Sequence, residues 1–265
     1  MKIATYNINS VRIRLELLKK LLLEENLDIL CLQETKVVDE LFPKEFFTNL
    51  GYNYLHFAGE KSYNGVAIIS KIPLYNHKTI PFVNGAKRFV SANFNYDGKE
   101  MELHNIYVPA GGDEPDVKIN PKFQYKLDYV DGLTSFYKKN YSHKDNLIVL
   151  GDFNIAPYEN DVWSHKVFLK IVCHTPIEVE KMGKWLETLN FSDITRDFIP
   201  PQQKVYTWWS YRSPNWRLAD KGIRLDHIWL TQNLKTKAKN FKILKDYREG
   251  GQTQPSDHVP VIVEV

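Results

Sequence analysis

The amino-acid sequence predicts an α/β fold in which two β-sheets pack face to face with helices outside. Several segments, among them "LDILCLQE" and "NLIVLGDF", are almost continuously apolar, as strands covered on both faces are. A helical pattern separates the first two strand-like segments, and a strand, helix and strand of this length make a βαβ unit. The 265 residues, 43% of them hydrophobic, suit one globular domain spanning residues 1–265.

The first helix is predicted in "SVRIRLELLKKLLLEEN". Leu15, Leu18 and Leu22 form an apolar stripe at helical spacing, and Ser10 is placed to cap the helix. Eight segments have a strand pattern, and this helix lies between the first two of them. In chain order they are "KIATYNI", "LDILCLQE", "NGVAIIS", "RFVSANFNY", "MELHNIYV", "NLIVLGDF", "RLDHIWL" and "VPVIVEV".

Two more helices follow. The segment "NPKFQYKLDYVDGLTSFYKKN" begins with Asn120 as N-cap and Pro121 at the first helical position. The segment "IEVEKMGKWLETLN" places Met182, Leu186 and Leu189 on one face. Two polar loops, "VPAGGDEPDVKIN" and "SYRSPNWRLADKG", have a length that is often functional in compact domains.

Composition sets loose bounds on function. The net charge of +3 is compatible with a polyanionic partner but does not demonstrate one. The two cysteines, Cys31 and Cys173, give neither a disulfide framework nor a metal-binding spacing. No signal-peptide pattern and no long apolar span is evident, so a cytoplasmic location without membrane contact is expected.

Acidic, amide, tyrosine and histidine side chains lie at six strand boundaries. Side chains two positions apart on a strand point the same way, so Asp152 and Asn154 in "LGDFN" would face one spot. Asparagine at a strand end is commonly a turn former, but repetition at six boundaries favours a shared site. The residues are Asn7 and Asn9, Glu34, Asn105 and Tyr107, Asp152 and Asn154, Asp226, and Asp257 with His258.

Asp226 needs a partner. Its neighbours Leu225 and Ile228 are apolar, and an unpaired buried carboxylate is costly. His258, which directly precedes the last strand, is the expected partner.

In order along the chain, "NIN", "LQETK", "YVPAG", "LGDFN", "RLDH" and "SDHVPV" resemble the signature of the exonuclease III family of apurinic/apyrimidinic (AP) endonucleases. That family belongs to the endonuclease/exonuclease/phosphatase superfamily. The resemblance covers residues 2–265 and implies a four-layer α/β sandwich, with two mixed β-sheets flanked by helices. The site would lie at one edge, where loops of the two sheets meet.

The resemblance also implies a site for Mg²⁺, with Mn²⁺ as an alternative. Glu34 matches the main ligand, with Asn7 beside it and Asp257 near a second position. Asp152 would orient or deprotonate the attacking water, and Asn154 would hold Asp152 and the phosphate in line. The implied ligand set is Asn7, Glu34, Asp152, Asn154, Asp257 and His258.

The implied catalytic residues are Tyr107, Asp152, Asn154, Asp226 and His258. His258, kept partly cationic by Asp226, would bond a non-bridging phosphate oxygen. Tyr107 would contact the phosphate or the leaving 3′ oxygen. A water molecule held by the metal is the alternative for the second of these roles.

Substrate selection is expected from an apolar pocket that admits a flipped abasic sugar and excludes normal nucleotides by size. Trp208, Ile223 and Leu225 match the pocket wall of the family. Removing Trp208 is expected to relax this discrimination without changing Mg²⁺ dependence.

Contacts with the DNA backbone are expected from basic residues near the pocket. Those proposed are Arg88, Arg212, Arg217 and Arg224. The "GGDEPD" loop is acidic, which puts its contact with DNA in question.

The function implied is an Mg²⁺-dependent repair nuclease that acts as a monomer on duplex DNA. It would cleave 5′ to abasic sites, degrade from 3′ ends and clean blocked 3′ ends. One alternative is a superfamily phosphatase or phosphodiesterase acting on a non-DNA substrate, and another is an inactive DNA-binding relative. The complete set of acids, amides and histidine argues against an inactive relative, and the "TWWSYR" and "RLDH" segments argue against the other.

Overall fold

The computed structural model describes residues 1–249 and 254–265, which form two six-stranded sheets with flanking helices. The strands are β1 Lys2–Asn7, β2 Ile29–Gln33, β3 Tyr54–Glu60, β4 Tyr63–Ser70, β5 Tyr75–Thr79, β6 Phe89–Tyr96, β7 Lys99–Tyr107, β8 Leu147–Asp152, β9 Ser192–Asp193, β10 Asp226–Leu230, β11 Asn240–Ile243 and β12 Val261–Glu264. The helices are α1 Leu15–Glu25, α2 Lys44–Thr48, α3 Pro121–Asn140, α4 His165–Phe168, α5 Pro176–Glu187, α6 Ile194–Phe198, α7 Trp216–Ala219 and α8 Gln232–Lys235.

Each sheet contains one parallel pair. The first sheet has the order β11-β12-β1-β2-β4-β3, and the second has the order β5-β6-β7-β8-β10-β9. Strands β1 and β2 are parallel and joined through α1, which confirms the predicted βαβ unit. Strands β7 and β8 are parallel and joined through α3, and every other strand pair is antiparallel.

The elements form four layers, as expected. Ile68 of the first sheet and Leu103 of the second belong to one fully buried cluster between the sheets. Leu18 of α1 packs on the outer face of the first sheet. Trp185 of α5 and Tyr137 of α3 pack on the outer face of the second. The fold is therefore an α/β sandwich with helices on both outer faces.

All eight predicted strands are present, but four others were not predicted. Strands β3, β5, β9 and β11 lie at or next to sheet edges. In β5, four of the five residues are exposed. Its sequence "YNHKT" does not alternate between apolar and polar residues. The apolar pattern of a strand arises because one or both of its faces are buried. Edge strands need little burial, so their sequences show the pattern less clearly.

The caps of the helices were only partly predicted. Asn120 does cap α3, by accepting from the backbone N–H of Lys122. The predicted cap of α1 is wrong, because Ser10 lies in a turn that bonds the Glu34 carbonyl and the helix begins only at Leu15. Within the described part of the chain, no helix combines the length and apolarity that a membrane-crossing segment needs.

Gly151 is required where β7 and β8 pair next to the predicted site. Its φ is +143°, and a Cβ there would stand 1.8 Å from the carbonyl oxygen of Ile106. We expect Gly151→Ala to cost about 3 kcal/mol or more of unfolding free energy in urea, from the clash and the backbone strain together. Gly183 in α5 is the matched control, because nothing lies within 4 Å of its added Cβ.

Gly183→Ala should stabilise the protein by about 0.5–1 kcal/mol through helix propensity. Equal effects of the two substitutions would contradict this account of Gly151.

Candidate active site

The predicted functional side chains meet at one edge of the two sheets. Parallel strands end at the same edge, so Tyr107 at the end of β7 is the register partner of Asp152 at the end of β8. Strand β10 runs antiparallel to β8, and its first residue, Asp226, also pairs with Asp152. In the first sheet, Asn7 ends β1, and Glu34 follows β2, which is the parallel neighbour of β1. The topology therefore brings these residues together across two sheets.

Asp152 lies at the centre of this cluster and is 1% exposed. One carboxylate oxygen accepts from the backbone N–H of Asn154 at 2.9 Å. The other accepts from the amide of Asn7 at 2.8 Å and from the amide of Asn154 at 3.2 Å. Burial raises the pKa of Asp152 to about 7, although the His258 charge opposes this shift. Asp152 can therefore gain or lose a proton near neutral pH.

His258 lies between two acids, one of which is its predicted partner Asp226. Its Nδ1 is 2.8 Å from Asp226 Oδ2, and its Nε2 is 3.7 Å from Asp152 Oδ2. Burial alone would lower the pKa of His258, but Asp226 and Asp152 outweigh it and raise the pKa to about 10. A doubly protonated ring has no free lone pair, so its charge does not favour the metal-ligand role of His258, which stays a prediction. The same charge favours the predicted phosphate contact.

Glu34 is bound on both oxygens by neighbouring side chains. Its Oε1 accepts from Asn7 at 2.9 Å and from the Tyr107 hydroxyl at 2.8 Å, while Oε2 lies 2.7 Å from Lys36 Nζ. Burial would raise the pKa of Glu34, but Lys36 and Asn7 hold it below its usual value. Burial, with Glu34 and Asp152, keeps the pKa of Tyr107 well above normal, so its hydroxyl remains protonated.

Asn7 connects the two acids as a donor. Its Oδ1 accepts from the backbone N–H of Asn9, which fixes the amide orientation, and its Nδ2 bonds Glu34 and Asp152. In this arrangement the Asn7 amide nitrogen holds the two carboxylates, and the metal-ligand role of Asn7 stays a prediction. Asn105 lies elsewhere, between the sheets, where its amide bonds the carbonyls of β2 and β4.

Backbone strain is concentrated at these residues. Asn9, Glu34, Lys36 and Asn154 have φ values of 47°, 51°, 52° and 52°. A positive φ is uncommon for Glu and Lys, and such strain persists where the surrounding structure holds it, often at functional sites. Asn9 was among the predicted boundary residues, but Lys36 was not, and the contacts of both could not be read from strand patterns because both lie in these turns.

A cavity of about 790 Å³ opens beside the acids. Its lining includes residues of the charged cluster together with Trp208, Ile223 and Leu225, the residues predicted for the pocket wall. Trp163 and Phe168 extend the apolar wall and were not predicted. Both long polar loops contribute residues to the lining of the cavity. Their lining residues are Ala110, Gly112, Asp113, Ser210, Arg212, Ser213, Pro214, Ala219 and Lys221.

Trp208 also contacts an acid. Its indole N–H donates to Asp257 Oδ2 at 2.9 Å, and Asn9 donates to Oδ1 of the same carboxylate at 3.1 Å. Burial would raise the pKa of Asp257, but His258 and these bonds hold it low. Because this bond holds a proposed metal ligand, we expect the removal of Trp208 to affect metal dependence, in contrast to the expectation from the sequence.

The predicted DNA-contacting arginines differ in placement. Arg224 is fully buried and paired with Asp161 and Asp193 at 2.8 Å each, so its predicted contact with DNA is wrong. Arg88 is 3% exposed and stacks on the Tyr107 ring at 4.5 Å, a position that supports Tyr107. Arg212 is exposed at the cavity mouth, and its predicted contact stands as a prediction.

Arg217 lies on the surface, where it pairs with Asp246 and Glu249. Its contact with DNA also stays a prediction.

The donor set fits a hard divalent cation. The carboxylates of Glu34, Asp152 and Asp257 offer oxygen ligands of the kind that Mg²⁺ and Mn²⁺ prefer. The ammonium of Lys36 on Glu34 shows that this position attracts a cation. A cluster of ligand atoms from Asp152, Asp226 and His258 is already joined internally by the His258 ion pairs.

A two-sheet α/β fold that gathers carboxylates, amides and a cationic histidine beside a cleft defines a hydrolase of phosphate esters. The chain belongs to the Endonuclease/Exonuclease/phosphatase family, whose model matches residues 4–258. The resemblance to the exonuclease III branch is confirmed by the relatives described next.

The relatives are similar over essentially the whole chain. The exodeoxyribonuclease III of Haemophilus influenzae is 29% identical over 100% of this chain and 99% of its own. An AP endonuclease from Archaeoglobus fulgidus has a TM-score of 0.90 and 32% identity, over 99% of this chain and 98% of its own. The 3′ phosphatase NExo (D146N) from Neisseria, solved with a product DNA hairpin, has a TM-score of 0.86 and 30% identity, over 100% of this chain and 98% of its own.

The raised pKa of His258 predicts how stability changes with pH. The folded pKa of about 10 exceeds the ordinary 6.5, so the contribution is complete below about pH 6.5 and is lost as pH rises through about 10. Urea unfolding should therefore show the unfolding free energy falling from pH 7 to pH 10. In Asp226→Asn, which removes the largest stabilising charge, the fall should still begin near pH 6.5 but should end at a lower pH and be smaller. Identical profiles for the two proteins would contradict the pairing.

Proposed function

We propose that this protein is a divalent-metal-dependent DNA repair nuclease of the exodeoxyribonuclease III type. It would hydrolyse the phosphodiester 5′ to an abasic site, degrade duplex DNA from 3′ ends and clean blocked 3′ ends. The observation that carries the proposal is the join between the charged cluster and an apolar, aromatic pocket in one cavity. The names of the bacterial, archaeal and Neisseria relatives support the same activities.

The protein's own groups divide the work at the phosphate. Asp152, with its pKa near 7, accepts a proton from the attacking water and directs it at phosphorus. The His258 imidazolium donates to a non-bridging oxygen and stabilises the charge that develops there. The Tyr107 hydroxyl, which stays protonated, is the proposed donor to the leaving 3′ oxygen.

Glu34, Asp257 and Asp152 are the residues we propose to hold Mg²⁺ or Mn²⁺. When bound, the ion would neutralise phosphate charge, which is the chemistry that these carboxylates alone cannot supply. Lys36 would then lose its contact with Glu34 and keep its bond to Asn9 Oδ1, which measures 2.6 Å.

The apolar wall provides the basis for selecting the substrate. Trp163, Phe168 and Trp208 offer aromatic surface to a flipped abasic sugar, while Arg212 and Lys221 offer positive charge at the mouth. The exposed acid Asp113 lines the cavity from the other loop. Its negative charge would disfavour contacts with the DNA phosphate backbone there. We propose a single catalytic domain over residues 1–265 that acts as a monomer, and a cytoplasmic location remains the expectation.

The test is strand cleavage of matched duplexes with and without one abasic analogue, in Mg²⁺ and in EDTA. Metal-dependent cleavage 5′ to the analogue supports the proposal. Binding to DNA without cleavage would favour an inactive relative. Hydrolysis of non-DNA phosphate esters, with both duplexes left intact, would favour the phosphatase alternative.

Glu34→Gln tests the metal assignment while preserving the shape of the side chain. We expect turnover to fall on the order of 100-fold and the half-saturating Mg²⁺ concentration to rise, because a charge-stabilising ligand is lost. A Mg²⁺ titration of the initial rate provides the measurement. Glu180→Gln, at an exposed residue paired with Lys184, is the control and should match the wild type. An unchanged titration in Glu34→Gln would remove Glu34 from the metal site.

Trp208 tests the pocket assignment through two substitutions. Trp208→Ala should relax the preference for abasic over intact duplex by about tenfold, because one large wall residue is worth ~1–3 kcal/mol of discrimination. Trp208→Phe keeps an aromatic wall but loses the N–H to Asp257, so it should mainly raise the Mg²⁺ requirement. Rate ratios and melting temperatures distinguish the two effects. A lowered melting temperature with an unchanged ratio in Trp208→Ala would show that Trp208 only packs.

A further inference from the structure

A buried ion pair contacts the backbone of three residues that line the cavity, Ala110, Asn154 and Cys173. Lys126 of α3 and Glu178 of α5 are both fully buried, with Nζ 2.5 Å from Oε1. Neither residue lines the cavity, and the reaction described above uses neither. A buried ion pair is costly to desolvate and contributes little net stability by itself, so its contacts with neighbouring backbone groups bear on its role.

The Lys126 ammonium binds the backbones of two turns that border the site. It donates to the carbonyl of Asn154 at 2.7 Å and to that of Ala110 at 3.2 Å. Asn154 follows the Asp152 strand, and Ala110 begins the acidic loop. The first bond holds the turn whose N–H and amide groups bond Asp152.

Glu178 holds a third turn. Its two oxygens accept from the backbone N–H of Cys173 at 3.0 and 2.9 Å, and Oε2 accepts from the N–H of Thr175 at 3.1 Å. The Cys173 N–H group is thus shared between both carboxylate oxygens. Cys173 lines the cavity, and its carbonyl accepts from the N–H of Ala156, so this turn supports the one that follows Asp152.

All three turns are conformationally unusual. Asn154 has φ 52°, Gly111 has φ 92° and Cys173 has φ 97°. A cysteine at such a φ is strained, and strain persists only where surrounding contacts impose it. A Cβ on Gly111 would lie 2.8 Å from Lys126 Cδ, so that turn is also packed directly on the lysine.

We infer that Lys126 and Glu178 form a positioning clamp that sets Asn154, and through it Asp152, for attack on the phosphate. The clamp also fixes the cavity wall at Cys173. This inference rests on the proposed nuclease function. Lys126 and Glu178 touch no substrate and act only through the three turns.

The double variant Lys126→Met/Glu178→Gln tests the clamp. It removes both charges at similar volume, so the fold should survive with a melting temperature within about 3 °C of the wild type. We expect kcat on abasic duplex to fall roughly 10- to 100-fold with KM nearly unchanged, because the reacting groups are displaced but the pocket remains. Labelling of Cys173 by a thiol reagent, followed by peptide mass spectrometry, should become faster as its turn loosens.

A matched control cuts another ion pair between the same two helices. Lys181 of α5 pairs with Asp131 of α3 near the surface, so Lys181→Met should leave kcat and Cys173 labelling as in the wild type. If the double variant does not fold, Glu178→Gln alone decides the question. It keeps the lysine bonds to Ala110 and Asn154, so labelling should rise while kcat falls by less than tenfold.

Two results would overturn the clamp. One is an unchanged kcat in a variant whose melting temperature alone has fallen, and the other is unchanged Cys173 labelling. A wild-type protein that cleaves no duplex would instead overturn the proposed function. The labelling comparison needs no activity and would still test the clamp in that case.

Discussion

The site depends on the burial of two carboxylates around the His258 imidazolium. The antiparallel register of β10 and β8 places Asp226 directly opposite Asp152. Two buried acids this close would both be driven toward the neutral form without a cation. His258 supplies that cation. Its Nδ1–H donates to Asp226 at 2.8 Å, its Nε2 lies 3.7 Å from Asp152, and Asp152 is left with a pKa near 7. A group with such a pKa is suited to take a proton at neutral pH.

The two-sheet architecture makes this burial possible. Each sheet has one parallel pair whose carboxyl ends reach the same edge, and Asn7 of the first sheet bonds Asp152 of the second. The polar cluster therefore joins the sheets at their edge, while an apolar core joins them in the middle. Glu34 and Asn154 adopt a positive φ, which is uncommon for residues other than glycine. The contacts of the site therefore impose a backbone conformation that is locally unfavourable.

The central strands and most site residues could be predicted because both leave local traces. An acid such as Asp226 inside an apolar strand is conspicuous, and its need for a partner points to His258. The edge strand β5 leaves no such trace, since its side chains are largely exposed. Ser10 has the right chemistry for a cap, but a bond to the distant Glu34 carbonyl fixes it in a turn before the helix begins.

Arg224 shows that a residue next to pocket residues in the sequence need not face the pocket. Its neighbours Ile223 and Leu225 face the pocket, so alternation sends the arginine to the opposite side, toward Asp161 and Asp193. Those partners lie 63 and 31 residues away along the chain. Long-range ion pairs of this kind, like that of Lys126 with Glu178, become visible only in the folded structure.

The central claim is that Asp152 directs a water molecule at the phosphorus 5′ to an abasic site. Cleavage of a duplex with one natural abasic site in ¹⁸O-labelled water, under single turnover with Mg²⁺, tests this most directly. The account predicts one ¹⁸O atom in the 5′-phosphate of the abasic fragment and a free 3′ hydroxyl on the other fragment. An unlabelled phosphate, with an unsaturated aldehyde at the 3′ end, would mean elimination at the sugar and would contradict it.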